Sequence, residues 1–174
     1  SRDLKRSLKR RVSEIQDIVR LLDTATLELR GVEEAEIVAA HLGAAAGDPQ
    51  LGIAILELLL NGIEHGNLEI TYEEKSALLE SGQYDDELGK RLAAEENRDK
   101  RVTVVLSRIE DHLEVLISDC GSGFDYEQYL TFDPQRVLDS HGRGVLLATG
   151  LLETEFLPPG NRVRVELPLA TREE

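Results

Sequence analysis

Glu57-Leu58-Leu59-Leu60-Asn61-Gly62-Ile63-Glu64-His65-Gly66-Asn67 sets a carboxylate and a carboxamide one helical turn apart inside an otherwise apolar helix. At about 100° per residue, Glu57, Asn61 and Glu64 fall on one face. Ile53, Leu56, Leu60 and Ile63 fall on the opposite face, which is expected to meet the core. Polar groups aimed from a buried helix need partners, and an oxygen pair suits a hard ion such as Mg²⁺ together with phosphate oxygens.

Three further blocks follow in order. Asp119-Cys120-Gly121-Ser122-Gly123-Phe124-Asp125 comes after a strand, His141-Gly142-Arg143-Gly144-Val145-Leu146-Leu147 opens a helix, and Gly160-Asn161 leads into a closing strand, Arg162 to Leu167. In the strand Leu113, Val115, Ile117 and Asp119 the two-residue period points Asp119 toward the apolar layer, where an unpaired carboxylate is costly. A ligand amine would satisfy it, and so would backbone amides of its own Gly-rich turn. Gly121 and Gly123 allow close backbone approach. Gly142 and Gly144 flank Arg143 at a helix start, where free amides and the helix dipole favour phosphate.

Taken in series, these blocks resemble the Bergerat-fold (GHKL) ATPases shared by gyrase and histidine kinases, and within them the bacterial anti-sigma-factor serine/threonine kinases. The likeness covers roughly residues 24 to 168, and extends less specifically to ATPase domains joined to receiver and phosphatase domains. It implies an α+β fold: a two-layer sandwich with a mixed, mostly antiparallel sheet and helices on one face. It also implies ATP and Mg²⁺ as cofactors, with Asn61 as the metal ligand and Glu57 polarising the attacking hydroxyl. Asp119 would read adenine, and Gly121, Gly123, Gly142, Arg143 and Gly144 would line the nucleotide. The implied partners are an anti-sigma antagonist of the STAS type, as phosphoacceptor, and a sigma factor. Two alternatives stay open: a non-catalytic, nucleotide-gated binding module regulating a linked phosphatase or partner, and the catalytic domain of a histidine kinase. Against the latter, His41 lies on an Ala-rich helix without a phosphoacceptor context.

The 174 residues suffice for one well-cored domain, and 41% hydrophobic content fits a globular chain. The longest apolar run, Ile53 to Leu60, is interrupted by Glu57 and is too short to span a bilayer, so no membrane partner is expected. The net charge of −14 argues against nucleic acid. Seven Lys/Arg against three Asp/Glu give residues 1 to 22 a net +4, leaving −18 on the rest. The single cysteine, Cys120, suits a reducing cytoplasm and reads as a small packed side chain. Without any methionine, even at its start, the chain reads as a fragment of a longer protein.

Leu4, Leu8, Ile15, Ile18 and Leu22 predict an amphipathic helix over 2 to 22, with Arg11 at one apolar place. Residues 1 to 23 are thus either a connector lying on the domain or a linker that forms a homodimer. The kinase domain is expected over 24 to 170, with a tail at 171 to 174. It opens with an edge strand from Thr24 to Arg30, an Ala-rich helix from Gly31 to Ala46 broken by Gly47-Asp48-Pro49, and a helix from about Gln50 to His65. His65, Gly66 and Asn67 read as its C-terminal cap.

Residues 68 to 100, with ten acidic and five basic side chains, read as an insertion with helical patches at Tyr72 to Glu80 and Asp85 to Glu95. They are either a solvated hairpin or a docking surface. Phe124 to Ser140 would form a lid, and it holds Phe124, Tyr126, Tyr129 and Phe132, four of the seven aromatic residues.

Overall fold

The computed structural model describes residues 2–127 and 143–171. Helix α1 (Arg2–Leu21) precedes strand β1 (Thr24–Leu29) and helices α2 (Val32–Ala46) and α3 (Pro49–Leu60). A π-helical segment (Asn61–Asn67) continues α3, and the hairpin α4 (Tyr72–Ser81) and α5 (Tyr84–Ala93) follows. Strands β2 (Val102–Ile109) and β3 (His112–Ser118), helix α6 (Arg143–Leu151) and strands β4 (Glu153–Leu157) and β5 (Arg162–Pro168) complete the chain.

The strands form one open sheet in the order β1-β2-β3-β5-β4. Every pairing among the described residues is antiparallel, so the sheet is not mixed as expected. Register follows from alternation. Val104 faces Ile117, Ile117 faces Val163 and Val163 faces Phe156, which carries one apolar row across four strands on a single face. Val102, Val104, Leu106, Leu113, Val115, Ile117, Val165 and Leu167 are buried on that face, while the intervening residues are only partly covered. On the other face Arg164 pairs with Glu155 at 2.8 Å and Glu114 at 3.6 Å. The result is a two-layer α+β arrangement with helices on one side of the sheet. No helix among the described residues is long and apolar enough to cross a membrane.

Local chemistry sets the helix ends where the sequence places them. Gly47 adopts left-handed backbone (φ 71°) and closes α2, Asp48 accepts from the amide of Gln50 at 2.9 Å, and Pro49 starts α3. The α2–α3 crossing is tight: a Cβ on Gly52 would lie 2.8 Å from the carbonyl oxygen of Ala39.

The orientation of α3 differs from the expected one. Its buried stripe is Leu51, Ala54, Ile55, Leu58 and Leu59; Ile63 is buried, but Ile53 is 52% exposed and Leu56 and Leu60 are only partly covered. In a helix this apolar, hydrophobicity alone does not select a face. Contact with α2 and α6 does.

Strand β4 has no counterpart in the expectations, because Glu153-Thr154-Glu155-Phe156-Leu157 buries only Phe156 and pairs on one side alone. The N-terminal half of α1 is exposed throughout; its C-terminal half is held by Gln16, which donates to the Ala44 carbonyl at 3.0 Å, and by Arg20, which donates to that of Ala170.

Candidate functional site

The chain changes helical pitch at Asn61. From there the backbone bonds i to i+5, as in the 3.0 Å bond from the Leu68 amide to the Ile63 carbonyl. Such wide turns cluster at functional sites, because they re-aim side chains. Here the pitch change separates the three polar residues that a regular α-helix would align. Asn61 lines a cavity, Glu64 turns into the insertion, and Glu57 lies against α6.

The cavity, about 70 Å³, lies between the π-helical segment, the end of β3 and the β4–β5 turn. Asn61, His65, Tyr72, Asp119, Phe124 and Asn161 line it, with Ile117, Phe156 and Val163 supplying apolar wall. Its size suits a few waters rather than a nucleotide, since small-molecule sites usually span roughly 300–1,000 Å³. To admit a nucleotide, the cavity would have to widen by an outward shift of wall side chains such as Phe124.

Asp119 approaches the helix because two glycines leave room for it. A Cβ on Gly66 would come within 3.0 Å of both carboxylate oxygens, and one on Gly62 would stand 3.5 Å from the Asp119 Cβ and 3.1 Å from Val102. The carboxylate accepts the Gly121 amide at Oδ1 (2.7 Å), so the Gly-rich turn satisfies one oxygen in the way the sequence left open. Oδ2 has no hydrogen-bond partner among the described residues. Burial pushes the Asp119 carboxyl up from 3.8 to about 6, and the Gly121 amide partly opposes this.

The backbone at this point is clamped from two sides. The Asp119 amide donates to the Asn161 carbonyl at 3.0 Å, and Asn161 Nδ2 returns a bond to the Asp119 carbonyl at 3.2 Å. Asn67 Oδ1 accepts the Cys120 amide at 2.7 Å, so Asn67 ties helix to strand tip instead of capping a helix end. His65 is not a cap either. Its Nδ1 meets the Ile70 carbonyl, its ring packs against Tyr72 with centroids 3.9 Å apart and planes tilted by 41°, and burial lowers its pKa.

Gly121 and Gly123 are needed for protein packing. A Cβ on Gly121 would collide with Asp119 and with the Gly66 backbone, and one on Gly123, at φ 89°, would collide with the Pro159 carbonyl. Gly160 is pressed against Phe124 in the same way, which joins the two Gly-bearing loops. Cys120 is exposed, contrary to its reading as a packed side chain; Sγ lies 3.4 Å from the Arg101 carbonyl.

Glu57 does not line the cavity. Its carboxylate lies where a Cβ on Gly144 would be, at the first turn of α6. Glu57 is thereby placed beside the helix start that the sequence singled out for phosphate. Gly142 and residues 128–140 of the expected lid lie outside the described residues; Arg143 opens α6, and its side chain is outside the described part.

Sequence reasoning missed Tyr72, Asn67 and Asn161. Tyr72 donates to Asn61 Oδ1 at 3.2 Å and comes from the insertion. That insertion is docked, not free. Glu64, 1% exposed, receives Lys75 Nζ at 2.5 Å and the Tyr84 hydroxyl, whose own pKa burial and Glu64 raise strongly. Arg91 reaches the Leu68 carbonyl (2.9 Å), Glu87 and Glu74, and Lys100 reaches the Asn67 carbonyl (2.8 Å). Aromatic and cationic residues at the start of an acidic insertion carry no periodicity that would mark them.

The described residues contain no group of three or more His, Cys, Asp or Glu suited to a metal. One carboxamide oxygen, with no such group beside it, cannot retain a free divalent ion. It fits Mg²⁺ that arrives already chelated by phosphates and keeps several waters. Comparisons with protein families, with curated proteins and with solved structures give no match.

Proposed function

We propose that this chain is an ATP- and Mg²⁺-dependent protein serine/threonine kinase of the anti-sigma type, built on a Bergerat fold. One observation carries the reading. Three groups with different chemistry stand in order: Asp119 and Asn61 line one cavity, and Glu57, one turn before Asn61, lies against Gly144 at the start of α6. That order matches the needs of a nucleotide bound base first, with its metal in the middle and its terminal phosphate at a helix N-terminus.

Each group suits its task. Asp119, partly desolvated and with one oxygen lacking a partner among the described residues, would accept a hydrogen bond from the exocyclic amine of adenine. Asn61 is neutral and offers a carbonyl oxygen to the ion that the phosphates bring. The bound ion would neutralise phosphate charge and orient the terminal phosphoryl group. Glu57, next to Gly144, would take the proton of an attacking serine hydroxyl from a phosphoacceptor protein. The acidic body of the chain repels a triphosphate, which makes the accompanying cation necessary.

The phosphoacceptor would be an anti-sigma antagonist, with a sigma factor as the alternative partner. Phosphorylation adds roughly −1.5 to −2 charge to an interface and so reverses partner choice. A second reading, a nucleotide-gated binding module without transfer, is favoured by one feature: Glu57 is absent from the cavity wall that holds Asn61 and Asp119.

Titration with a fluorescent ADP analogue, with and without Mg²⁺, tests the binding half; no saturable binding would remove the proposal. Labelled ATP with the antagonist tests the other half. A labelled serine is expected for the kinase, and nucleotide binding without label transfer selects the module.

A further inference from the structure

The helical insertion supplies a side chain to the site wall. Tyr72 begins α4, and Thr71 Oγ1 fixes that helix start by accepting the Glu74 amide at 3.1 Å. From there the Tyr72 hydroxyl reaches Asn61 Oδ1 at 3.2 Å, and its ring rests on His65. The hairpin behind it is anchored on the same π-helical segment that carries Asn61: Lys75 and Tyr84 converge on buried Glu64, three residues along. Arg91 and Lys100 hold the carbonyls of Leu68 and Asn67 at its far end.

We propose that Tyr72 is a positioning residue for Asn61, and that the α4–α5 hairpin thereby sets the affinity of the site for nucleotide-borne Mg²⁺. This rests on the nucleotide-binding reading above. A carboxamide carbonyl has two lone pairs. The phenol takes one and holds the side chain against the cavity wall, which leaves the second for a cation. Without that donor the carboxamide is free to rotate, and its NH₂ end repels the ion. Groups that orient a metal ligand in this way commonly change metal affinity by about 10–100-fold. A single neutral hydrogen bond at the edge of a small cavity belongs below that range, at about fivefold. The anchoring at Glu64 makes the effect a property of the whole insertion. Anything that lifts the hairpin withdraws Tyr72.

The test uses the full chain with a fluorescent ADP analogue, titrated at zero and at saturating Mg²⁺. Wild type is expected to bind more tightly with Mg²⁺. Tyr72→Phe, which keeps the ring on His65, is expected to keep the Mg²⁺-free affinity and to lose about fivefold of the Mg²⁺-dependent gain. If Tyr72→Phe fails to fold, Lys75→Met takes its place, since it loosens α4 from Glu64 while leaving the phenol present; the same selective loss is expected. A gain that is unchanged in the variant overturns the inference alone, and so does a larger gain, which would mean that the hydroxyl competes with the ion. Absence of any Mg²⁺-dependent gain in wild type overturns the function reading and this inference with it.

Discussion

Asp119→Asn should stabilise the free protein at neutral pH while weakening nucleotide binding, and the stabilisation should vanish in acid. The Asp119 carboxyl is held at about 6, against its ordinary 3.8, because it is partly withdrawn from water. Below pH 4 both folded and unfolded chains carry the proton, so aspartic acid and asparagine behave alike. Between pH 4 and 6 the unfolded chain sheds the proton while the fold retains it, so wild-type stability falls as pH rises. Above pH 6 the folded state holds a charge in a poor environment and the penalty is constant. A dry site would make this penalty about 3 kcal/mol. The carboxylate is only partly buried, so screening by water reduces the expected gain to about 1 kcal/mol.

Asparagine preserves the acceptor for the Gly121 amide, which keeps the turn intact. Urea unfolding of both proteins from pH 4 to 7.5, at low concentration because the pI is near 4.7, measures the gap directly. A gap that opens between pH 4 and 6 and then stays level is expected. A gap that is constant over the range, or that favours wild type at pH 7.5, refutes the argument that burial dominates at Asp119.

Gly66→Ala drives a methyl group into the Asp119 carboxylate and should cost about 1–3 kcal/mol of stability, read as a lower urea midpoint; a midpoint equal to wild type would mean that the strand tip is not held there. Glu64→Gln removes the charge that Lys75 and Tyr84 share, so about 3–5 kcal/mol should be lost, and faster hydrogen exchange in α4 and α5 checks that the loss lies in the insertion. Asn67→Ala leaves the Cys120 amide without its partner and should cost about 1–3 kcal/mol in thermal or urea unfolding. Glu57→Ala should retain nucleotide affinity and lose phosphoryl transfer; persistent transfer would assign proton removal to another group.

The local elements were legible in the chain because their causes are local. Alternation in Leu113-Glu114-Val115-Leu116-Ile117 defines a half-buried strand, and Gly47-Asp48-Pro49 stops one helix and starts another, with the bonds to prove it. The bare strand β4 was not legible, since one buried phenylalanine produces no pattern. Asn61 and Asp119 could be picked as polar groups that an apolar setting must satisfy, and both line one cavity. That their cavity includes Tyr72, from a segment read as an appendage, could not be picked. Hydrogen bonds between elements separated along the chain leave no spacing rule, and acidic insertions look alike whether they float or dock.

What the chain alone settled is strands β1, β2, β3 and β5, the Gly47-Asp48-Pro49 helix boundary and the polar interruptions, because each depends on neighbours within a turn or a pleat. Tertiary structure decided how the polar stripe is shared out. A regular helix would present Glu57, Asn61 and Glu64 together, but the wider turn from Asn61 sends Glu64 to Lys75 and Tyr84, leaves Asn61 opposite Asp119 and keeps Glu57 at α6. The cause is physical. A buried carboxylate must find donors, the insertion provides them, and the backbone pitch accommodates the direction in which they lie.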